Sequence, residues 1–535
     1  MKNRPDERLA VRPLGAQISH MLKDRGIDVI FGIPGVHNQE MYRGIEEAGI
    51  THILARHEQG AGFMADGYAR ASGKPGVCYV ITGPGVLNAL TPMGQAYSDS
   101  VPVLMLASCL DEVAHEKGQL HQMNDQEGAA ASVTDWSATA RTADAAYGLI
   151  DRAFSEFATK RKRPKVIHVP IKLLEAEASA PPMPAPDRAC ATDATPVIDD
   201  IVDLLQNAER PLIIAGGGCV GADEALRIAA QACGAASFST YAGRGLFETD
   251  DPLHFGSNLS RAGSEAIIGS ADVVLAIGTE LAEVDIWRPE LGYTGTFIRV
   301  DIDPVMLTSR PRTDVAVCAD AGATLFAIAD DIQRESPTKW TATEVAQARA
   351  GWRAEIEAER PGLPQIIDTV RAAMPDDAMM YSDMTGFAYA AKDVWPMKRA
   401  GHWHHPYGFG TLGYALPASI GGAVARKGLP TVCIIGDYGL QYTIAELGTA
   451  VELGLPLVII LWDNGKLGEI EDSMISAQIA PNAVIQRNPD FLALAKAYGA
   501  HAVQPSTLAD IGPALDAAFK ANVPTVIRLT PALIG

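Results

Sequence analysis

The segment Thr431-Val-Cys-Ile-Ile-Gly-Asp437-Tyr-Gly439, with Asp463-Asn464-Gly465 some way behind it, decides how the rest of the chain is read. Val432 to Ile435 is a short β-branched run that stops at Gly436-Asp437, as a buried parallel strand does. A carboxylate at the carboxyl end of such a strand, beside glycines, stands where open α/β sheets bind ligands. Leu440, Ile444, Leu447 and Val451 then recur at helical spacing across Gly439 to Leu453. Leu455 to Trp462 reads as a second strand, which brings Asp463 and Asn464 to the same edge. A hard anion and an amide oxygen at two strand ends suit Mg²⁺, and the backbone N–H groups that begin the intervening helix favour phosphate oxygens. A diphosphate held by Mg²⁺ fits both features. The same letters would also make a structural strand–turn–helix with an aspartate cap.

Length and composition bound the alternatives. A chain of 535 residues exceeds what one core holds and predicts three domains. Its 47% hydrophobic and 20% charged residues describe a well-buried soluble protein. The net charge of −20 argues against nucleic acid or an anionic membrane as partner. The seven cysteines, at 78, 109, 190, 219, 233, 318 and 433, are scattered and include no CxxC pair, which points to a reducing cytoplasm and away from a zinc site. Met1 to Arg12 is polar, without the apolar core of a signal peptide, and no run reaches the ~18 apolar residues of a membrane helix.

Along the chain, Leu14 to Arg25 has helical spacing, Asp28 to Phe31 reads as a strand ending in Gly32-Ile-Pro-Gly35, Val36 to Ala48 as a helix and Thr51 to Leu54 as a strand. Further strands are expected at Gly76 to Thr82, Val101 to Ala107 and Lys165 to Val169, an alternation that predicts a parallel, doubly wound α/β sheet. Ser179 to Asp187, with four prolines in nine residues, reads as a linker. A second α/β unit begins near Val197, with strands at Pro211 to Ala215, Val273 to Ile277 and Phe297 to Val300. The turn Gly216-Gly-Gly218 invites a dinucleotide reading, but its spacing is not GxGxxG and Asp301-Ile-Asp-Pro304 lies far beyond the expected acidic partner, so a structural central domain is the expectation. Arg334 to Pro361 reads as a charged, helical linker, and a third α/β unit runs from about Ile366 to the end, with a strand–helix rhythm like the first. The expected domains are 1–178, 190–334 and 362–535.

In the first unit, Arg56-His57-Glu58-Gln-Gly60-Ala follows a strand end and continues into Ala65-Asp66-Gly-Tyr68-Ala-Arg70, then Gly83-Pro84-Gly85-Val-Leu-Asn88. Glu58 is placed as a catalytic carboxylate would be, and equally as a helix-start glutamate stabilised by the dipole. Taken together these stretches resemble the pyrimidine-binding signature of thiamine-diphosphate enzymes of the acetolactate synthase and 2-oxo-acid decarboxylase family. The carboxyl-terminal stretch is similar to that family's Gly-Asp-Gly … Asn-Asn signature, with 24 residues (439 to 462) between the two parts. Two letters depart: Tyr438 stands for the last Gly and Asp463 for the first Asn.

The resemblance spans nearly the whole chain and implies a fold of pyrimidine, central and diphosphate domains. It implies thiamine diphosphate and Mg²⁺ as cofactors, with Asp437, Asn464 and the Lys466 carbonyl as metal ligands. Gly83, Asn88, Gly410, Leu412, Tyr438, Gly439, Leu467 and Gly468 are then placed around the cofactor. Glu58 is the carboxylate against the aminopyrimidine, Leu412 the wedge under the bent cofactor, and the Gly410 carbonyl the partner of its 4′-amino group. It also implies a homodimer or homotetramer with active sites at the subunit interface, where Glu58 of one subunit meets Asp437 of the other.

The resemblance also implies a small 2-oxo acid as substrate and leaves the chemistry within the family open. Ile470 stands where pyruvate decarboxylases carry Glu, and no His-His pair occurs between 110 and 122, where His115 and His121 are separated. Gln122 falls roughly where acetolactate synthases place an active-site Gln. Against that type, Gly35-Val36-His37 replaces the first-loop glycines, Glu469 replaces a Met, and the Gly216 turn makes FAD unlikely. His37 and His121 follow strand ends facing the cofactor and are candidates to protonate the enamine or orient the carboxylate, each equally readable as structural. Glu469, if it points inward, would pair with a guanidinium tail, whereas Glu471 and Asp472 read better as a solvated helix start. Gly-Val-His together with Gly-Glu-Ile resembles the guanidino-oxopentanoate (2-ketoarginine) decarboxylase branch. Expected is therefore decarboxylation of that 2-oxo acid, with acetolactate synthase-like carboligation as alternative. A catalytically dead regulatory homologue is the remote one, since such proteins would be expected to lose the Glu or the metal Asp.

Overall fold

The computed structural model describes residues 11–111, 118–184, 195–309, 312–333 and 337–534. His115, the end of the proline-rich stretch after Pro184, Cys190 and the residues around Arg334 lie outside the described residues. Helix α1 (Leu14–Asp24) opens the first unit, whose strands are β1 (Val29–Gly32), β2 (Thr51–Leu54), β3 (Gly76–Val80), β4 (Val103–Cys109), β5 (Trp136–Thr139) and β6 (Lys165–Pro170). They pair all-parallel in the order β2-β1-β3-β4-β6-β5. Two helices after these strands matter for the site, α2 (Glu58–Ser72) and α3 (Pro84–Ser98).

The middle unit has a five-stranded parallel sheet of β7 (Pro211–Ala215), β8 (Ala236–Ser239), β9 (Val273–Ile277), β10 (Thr296–Asp301) and β11 (Val315–Cys318), ordered β8-β7-β9-β10-β11. The stretch read as a helical linker does hold a helix, α4 (Ala342–Glu359), but it is packed on the middle sheet rather than free of it. Trp340, Val345 and Trp352 are buried with Phe238 and Phe255 on one face of the middle sheet, because apolar residues on one stripe of a charged helix need a surface to cover.

The third unit contains β12 (Met379–Ser382), α5 (Gly386–Val394), β13 (Trp403–His404), α6 (Ala415–Ala425), β14 (Thr431–Gly436), α7 (Asp437–Thr443), β15 (Val458–Trp462), α8 (Gly468–Ser476), β16 (His501–Val503) and β17 (Thr525–Leu529). Its sheet is again parallel and runs β13-β12-β14-β15-β17-β16. First and third units thus share one strand order, as the similar rhythm in the sequence anticipates. They pack on each other through α2 and α6 at backbone distance: a Cβ added at Gly67 would lie 1.9 Å from the Ala418 carbonyl oxygen, and one at Gly421 1.9 Å from that of Met64. Only glycine permits that approach.

Two boundaries differ from the sequence expectation. Helix begins at Gln39 rather than Val36, because Asn38 holds the loop before it, accepting from Gly35 N (2.7 Å) and donating to the Ile33 carbonyl (3.3 Å). The expected helix from Gly439 to Leu453 starts two residues earlier, at Asp437, and is interrupted between Thr443 and Glu446. Ile444 and Ala445 keep right-handed helical dihedrals there, so the chain direction continues through the interruption.

Candidate active site

Register places the carboxyl-terminal residues. Gly436 at the end of β14 pairs with Trp462 at the end of β15, so Asp437 and Asp463 leave the sheet side by side, and Asn464 follows. These are the ends at which parallel sheets expose ligand-binding loops. Asp437 is 3% exposed. Its Oδ1 accepts from Tyr438 N (3.0 Å), and its Oδ2 from Gly465 N (2.8 Å) and Asn488 Nδ2 (2.7 Å). The same Asn488 amide donates to Asp463 Oδ1 at 2.7 Å, and Asp463 Oδ2 is held by Arg528 Nε at 2.7 Å. The Asp463 departure from the signature is therefore charge-balanced by an arginine from β17. Burial first, and then the Asp463 charge, push the Asp437 carboxyl above its ordinary range, a cost that a bound divalent cation reverses.

A cavity of about 530 Å³ opens beside these strand ends, and all its lining residues lie between Arg360 and Ile534. It gathers nearly the whole carboxyl-terminal prediction: Gly410, Leu412, Asp437, Tyr438, Gly439, Asn464, Lys466, Leu467, Gly468, Glu469 and Ile470 all line it. Loop 408–413 reaches the cavity because the first unit holds its back. Gly408 N donates to Asp99 Oδ1 (3.1 Å), and the Thr411 hydroxyl donates to Gln95 Oε1 (2.9 Å). Asp383, just past β12, accepts from Gly413 N at 2.7 Å, and a Cβ on Gly439 would lie 2.3 Å from its Oδ2. One buried carboxylate thus ties the Leu412 loop to the start of α7.

Glu469 does point toward this cavity, but it already has a cationic partner. Arg360 Nη1 stands 2.6 Å from Glu469 Oε1. Lys466 Nζ is held 2.5 Å from Glu471 Oε2, while Ile470 and Asp472 are exposed.

The amino-terminal candidates form a second cluster, at the ends of β1, β2 and β3. Glu58 is the first residue of α2, and its Oε2 accepts from Asn88 Nδ2 at 2.9 Å. The turn before it is fixed from the third unit, where Glu446 accepts from the main-chain nitrogens of Arg56 and His57, each at 3.0 Å. The rings of His37 and His121 meet edge to face, with centroids 4.9 Å apart, and neither Nδ1 has a hydrogen-bond partner. Burial, then the neighbouring His121, lowers the pKa of His37. His121 has a φ of +63°, a conformation costly for a side-chain-bearing residue. Its carbonyl oxygen would lie 2.4 Å from a Cβ at Gly83, so glycine is required there. Gln122 bonds the Gln119 main chain through Oε1 at 3.2 Å. None of Glu58, His37, His121, Gln122, Gly83 or Asn88 lines the 530 Å³ cavity of its own chain.

Sequence reasoning missed Asn488, Asp383, Arg360 and Tyr389. Asn488 sits in a polar loop and Arg360 at the end of α4, with no local pattern to mark either, and only the strand register could have drawn attention to Asp383. The Gly216–Gly218 turn closes on β9, with Gly216 N donating to the Ile277 carbonyl and Gly218 N to that of Gly278.

Fold and site together define a three-unit α/β enzyme with a ligand cavity at the carboxyl ends of the strands of its third sheet. Three family models bear this out: the thiamine pyrophosphate enzyme N-terminal TPP binding domain over residues 12–129, the central domain over 198–328 and the C-terminal TPP binding domain over 383–529. The chain belongs to the thiamine pyrophosphate enzymes. It is similar to a probable 2-ketoarginine decarboxylase, AruI, of Pseudomonas aeruginosa, 42% identical over 96% of this chain and 93% of that protein. It is also similar to the acetolactate synthase isozyme 2 large subunit of Escherichia coli K12 (27%; 96% and 95%) and to the acetolactate synthase large subunit of Lactococcus lactis (28%; 91% and 88%). The residues fit the cofactor. A buried carboxylate, a side-chain amide and a loop carbonyl belong to residues that line one cavity and are of the hard-oxygen type that Mg²⁺ takes, and the apolar Leu412 lines the same cavity. No helix among the described residues is long and apolar enough to cross a membrane.

Proposed function

We propose that the chain decarboxylates a 2-oxo acid with thiamine diphosphate and Mg²⁺, and that its favoured substrate is 5-guanidino-2-oxopentanoate. The observation that carries the substrate is Glu469 in the cavity, already matched to a guanidinium by Arg360 at 2.6 Å. The geometry is one that a substrate guanidinium can take over. The 42% identity with the 2-ketoarginine decarboxylase supports the same choice.

Bound thiamine diphosphate supplies the electron sink for loss of CO₂. Asp437, Asn464 and the Lys466 carbonyl hold the Mg²⁺, with Asn488 keeping the Asp437 carboxylate in place. Tyr438, Gly439, Leu467 and Gly468, which line the cavity, would hold the diphosphate, Leu412 would support the cofactor, and Gly410 would offer its carbonyl to the cofactor's amino group. Glu58, steadied by Asn88 and Glu446, holds the proton exchanged with the pyrimidine. His37 and His121, whose rings meet edge to face at 4.9 Å, would orient the substrate carboxylate and return a proton after CO₂ leaves, with Gln122 beside them. The cavity is lined by residues between Arg360 and Ile534 and by none of the Glu58 cluster of its own chain, which supports a homodimer or homotetramer in which the Glu58 cluster of a second copy completes it. Cytoplasmic residence fits the six free cysteines among the described residues.

Carboligation of the acetolactate synthase type is the second reading, favoured by 27% identity to such an enzyme along 96% of the chain. Product analysis separates the two. Incubated with cofactor, Mg²⁺ and one 2-oxo acid at a time, the enzyme should release CO₂ and 4-guanidinobutanal from 2-ketoarginine. Acetohydroxy acid from pyruvate or 2-ketobutyrate, with 2-ketoarginine untouched, would establish carboligation instead.

A further inference from the structure

A second cavity, of about 440 Å³, lies between the loops after β8, the α4 helix and the end of α5. It shares no lining residue with the cofactor cavity, and neither the Gly216–Gly218 turn nor Gly278 borders it. Its floor is Arg244, 4% exposed. The Arg244 guanidinium is fixed in position: Nη2 donates to the carbonyls of Trp395 (2.8 Å) and Ala391 (3.3 Å), and its plane lies 4.3 Å from the Trp403 ring centre. Its Nη1 has no hydrogen-bond partner. The Tyr407 phenol and the Asp393 carboxylate act on it, yet burial prevails and pushes its pKa down to about 10. A buried guanidinium with no direct ion pair is costly, and Arg244 lines this cavity.

The other charges around the cavity leave it positive. Asp368 is taken by Arg353 at 2.5 Å, and Asp393 Oδ2 by Arg261 at 2.5 Å. Lys392 is held only by the faces of Tyr241 (4.1 Å) and Tyr389 (5.4 Å), and Arg349 at the rim only by the carbonyls of Thr249 and His254. Arg244, Lys392 and Arg349 thus line one cavity without a direct ion pair to a carboxylate, although the Asp393 charge acts on Arg244 and Lys392 and the Asp285 charge on Lys392, in a protein whose net charge is −20. Asp393 Oδ1, buried and unpartnered, adds one acceptor for a ligand O–H or N–H. We propose that this cavity is a binding site for a small oxyanion, a phosphate or a carboxylate, held between Arg244 in its lining and Arg349 at its rim. The size suits a small molecule, and the guanidinium edge suits either head group.

The test is calorimetric titration of the full-length enzyme saturated with thiamine diphosphate and Mg²⁺, so that phosphate has no access to the cofactor cavity. Inorganic phosphate and acetate are titrated separately at constant ionic strength in sodium chloride. The expected result is saturable binding of one of them, at one site per chain, which also tells phosphate from carboxylate. Arg244→Met should abolish that binding, and Arg349→Glu, an exposed position away from the core, should weaken it at least tenfold with decarboxylation and thermal midpoint unchanged. Should Arg244→Met fail to fold, the Arg349→Glu result stands by itself. Absence of saturable heat with both anions, or binding undiminished in Arg349→Glu, would overturn the assignment.

Discussion

Arg360 Nη1 lies 2.6 Å from Glu469 Oε1, so the carboxylate best placed to read a substrate guanidinium is already occupied by one from its own chain. The pair is accessible, with side chains 25% and 39% exposed, and a Cβ on the facing residue, Gly386, would stand 3.5 Å from Arg360 Nη1. Glu469→Ala removes a charge-assisted bond worth about 1.5–3 kcal/mol, which corresponds to a rise of about 10- to 150-fold in KM for 2-ketoarginine with little change for pyruvate. Equal losses for both substrates would remove Glu469 from substrate recognition. Arg360→Met removes the competitor, an exposed pair worth about 1 kcal/mol at most, and should lower the 2-ketoarginine KM by up to about fivefold.

Glu58 and Asn88 act as a unit through their 2.9 Å hydrogen bond. Glu58→Gln should reduce kcat by about 10²- to 10⁴-fold, the range for a lost acid–base group, while cofactor binding measured by fluorescence quenching persists. Asn88→Ala should cost less, by releasing the carboxylate without removing it. Unchanged turnover in Glu58→Gln would refute its assignment.

The metal site can be probed through Asn488, whose amide joins the Asp437 and Asp463 carboxylates at 2.7 Å each. Dialysis against EDTA should abolish activity, and added Mg²⁺ should restore it. Asn488→Leu should raise the Mg²⁺ concentration needed for half-activity by about 10- to 100-fold, as loss of a supporting hydrogen bond to a metal ligand does. Identical Mg²⁺ titrations for the two proteins would show that Asn488 has no part in metal binding.

Acid sensitivity should trace to His168. Its Nδ1 accepts from Gln126 Nε2 at 2.9 Å, and Gln126 Oε1 in turn accepts from Gly83 N at 2.8 Å. Burial pushes the His168 pKa down to about 4 from an ordinary 6.5. A depressed folded-state pKa means that the unfolded chain takes up the proton first. The contribution to stability is full above about pH 6.5 and is lost as pH falls through about 4, by about 1.4 kcal/mol per unit within that window. Urea midpoints across the window should fall more steeply for the native protein than for His168→Asn, and equal slopes would acquit His168.

The sequence by itself determined the most apolar strands of each sheet and the reactive letters, while β5, β8, β11, β12, β13, β16 and β17 were visible only in the structure. Apolar β-branched runs such as Val458 to Trp462 can only be buried strands, and the residues directly behind them, Asp437 and Asn464, necessarily emerge at the ligand edge. Glu58 was legible for the same reason. Tertiary structure alone decided which partners those groups have. Asn488 lies beyond Asp463 in a loop, Arg528 on another strand, Arg360 on a helix outside the third sheet and Glu446 in a different unit from the Glu58 turn that it holds. Hydrogen bonds and ion pairs form between groups that folding brings within about 3 Å, and a linear pattern records spacing along the chain but not that proximity. For this reason Glu58 could be singled out from its neighbours in sequence as the proposed catalytic carboxylate, whereas the arginine already paired with Glu469 could not.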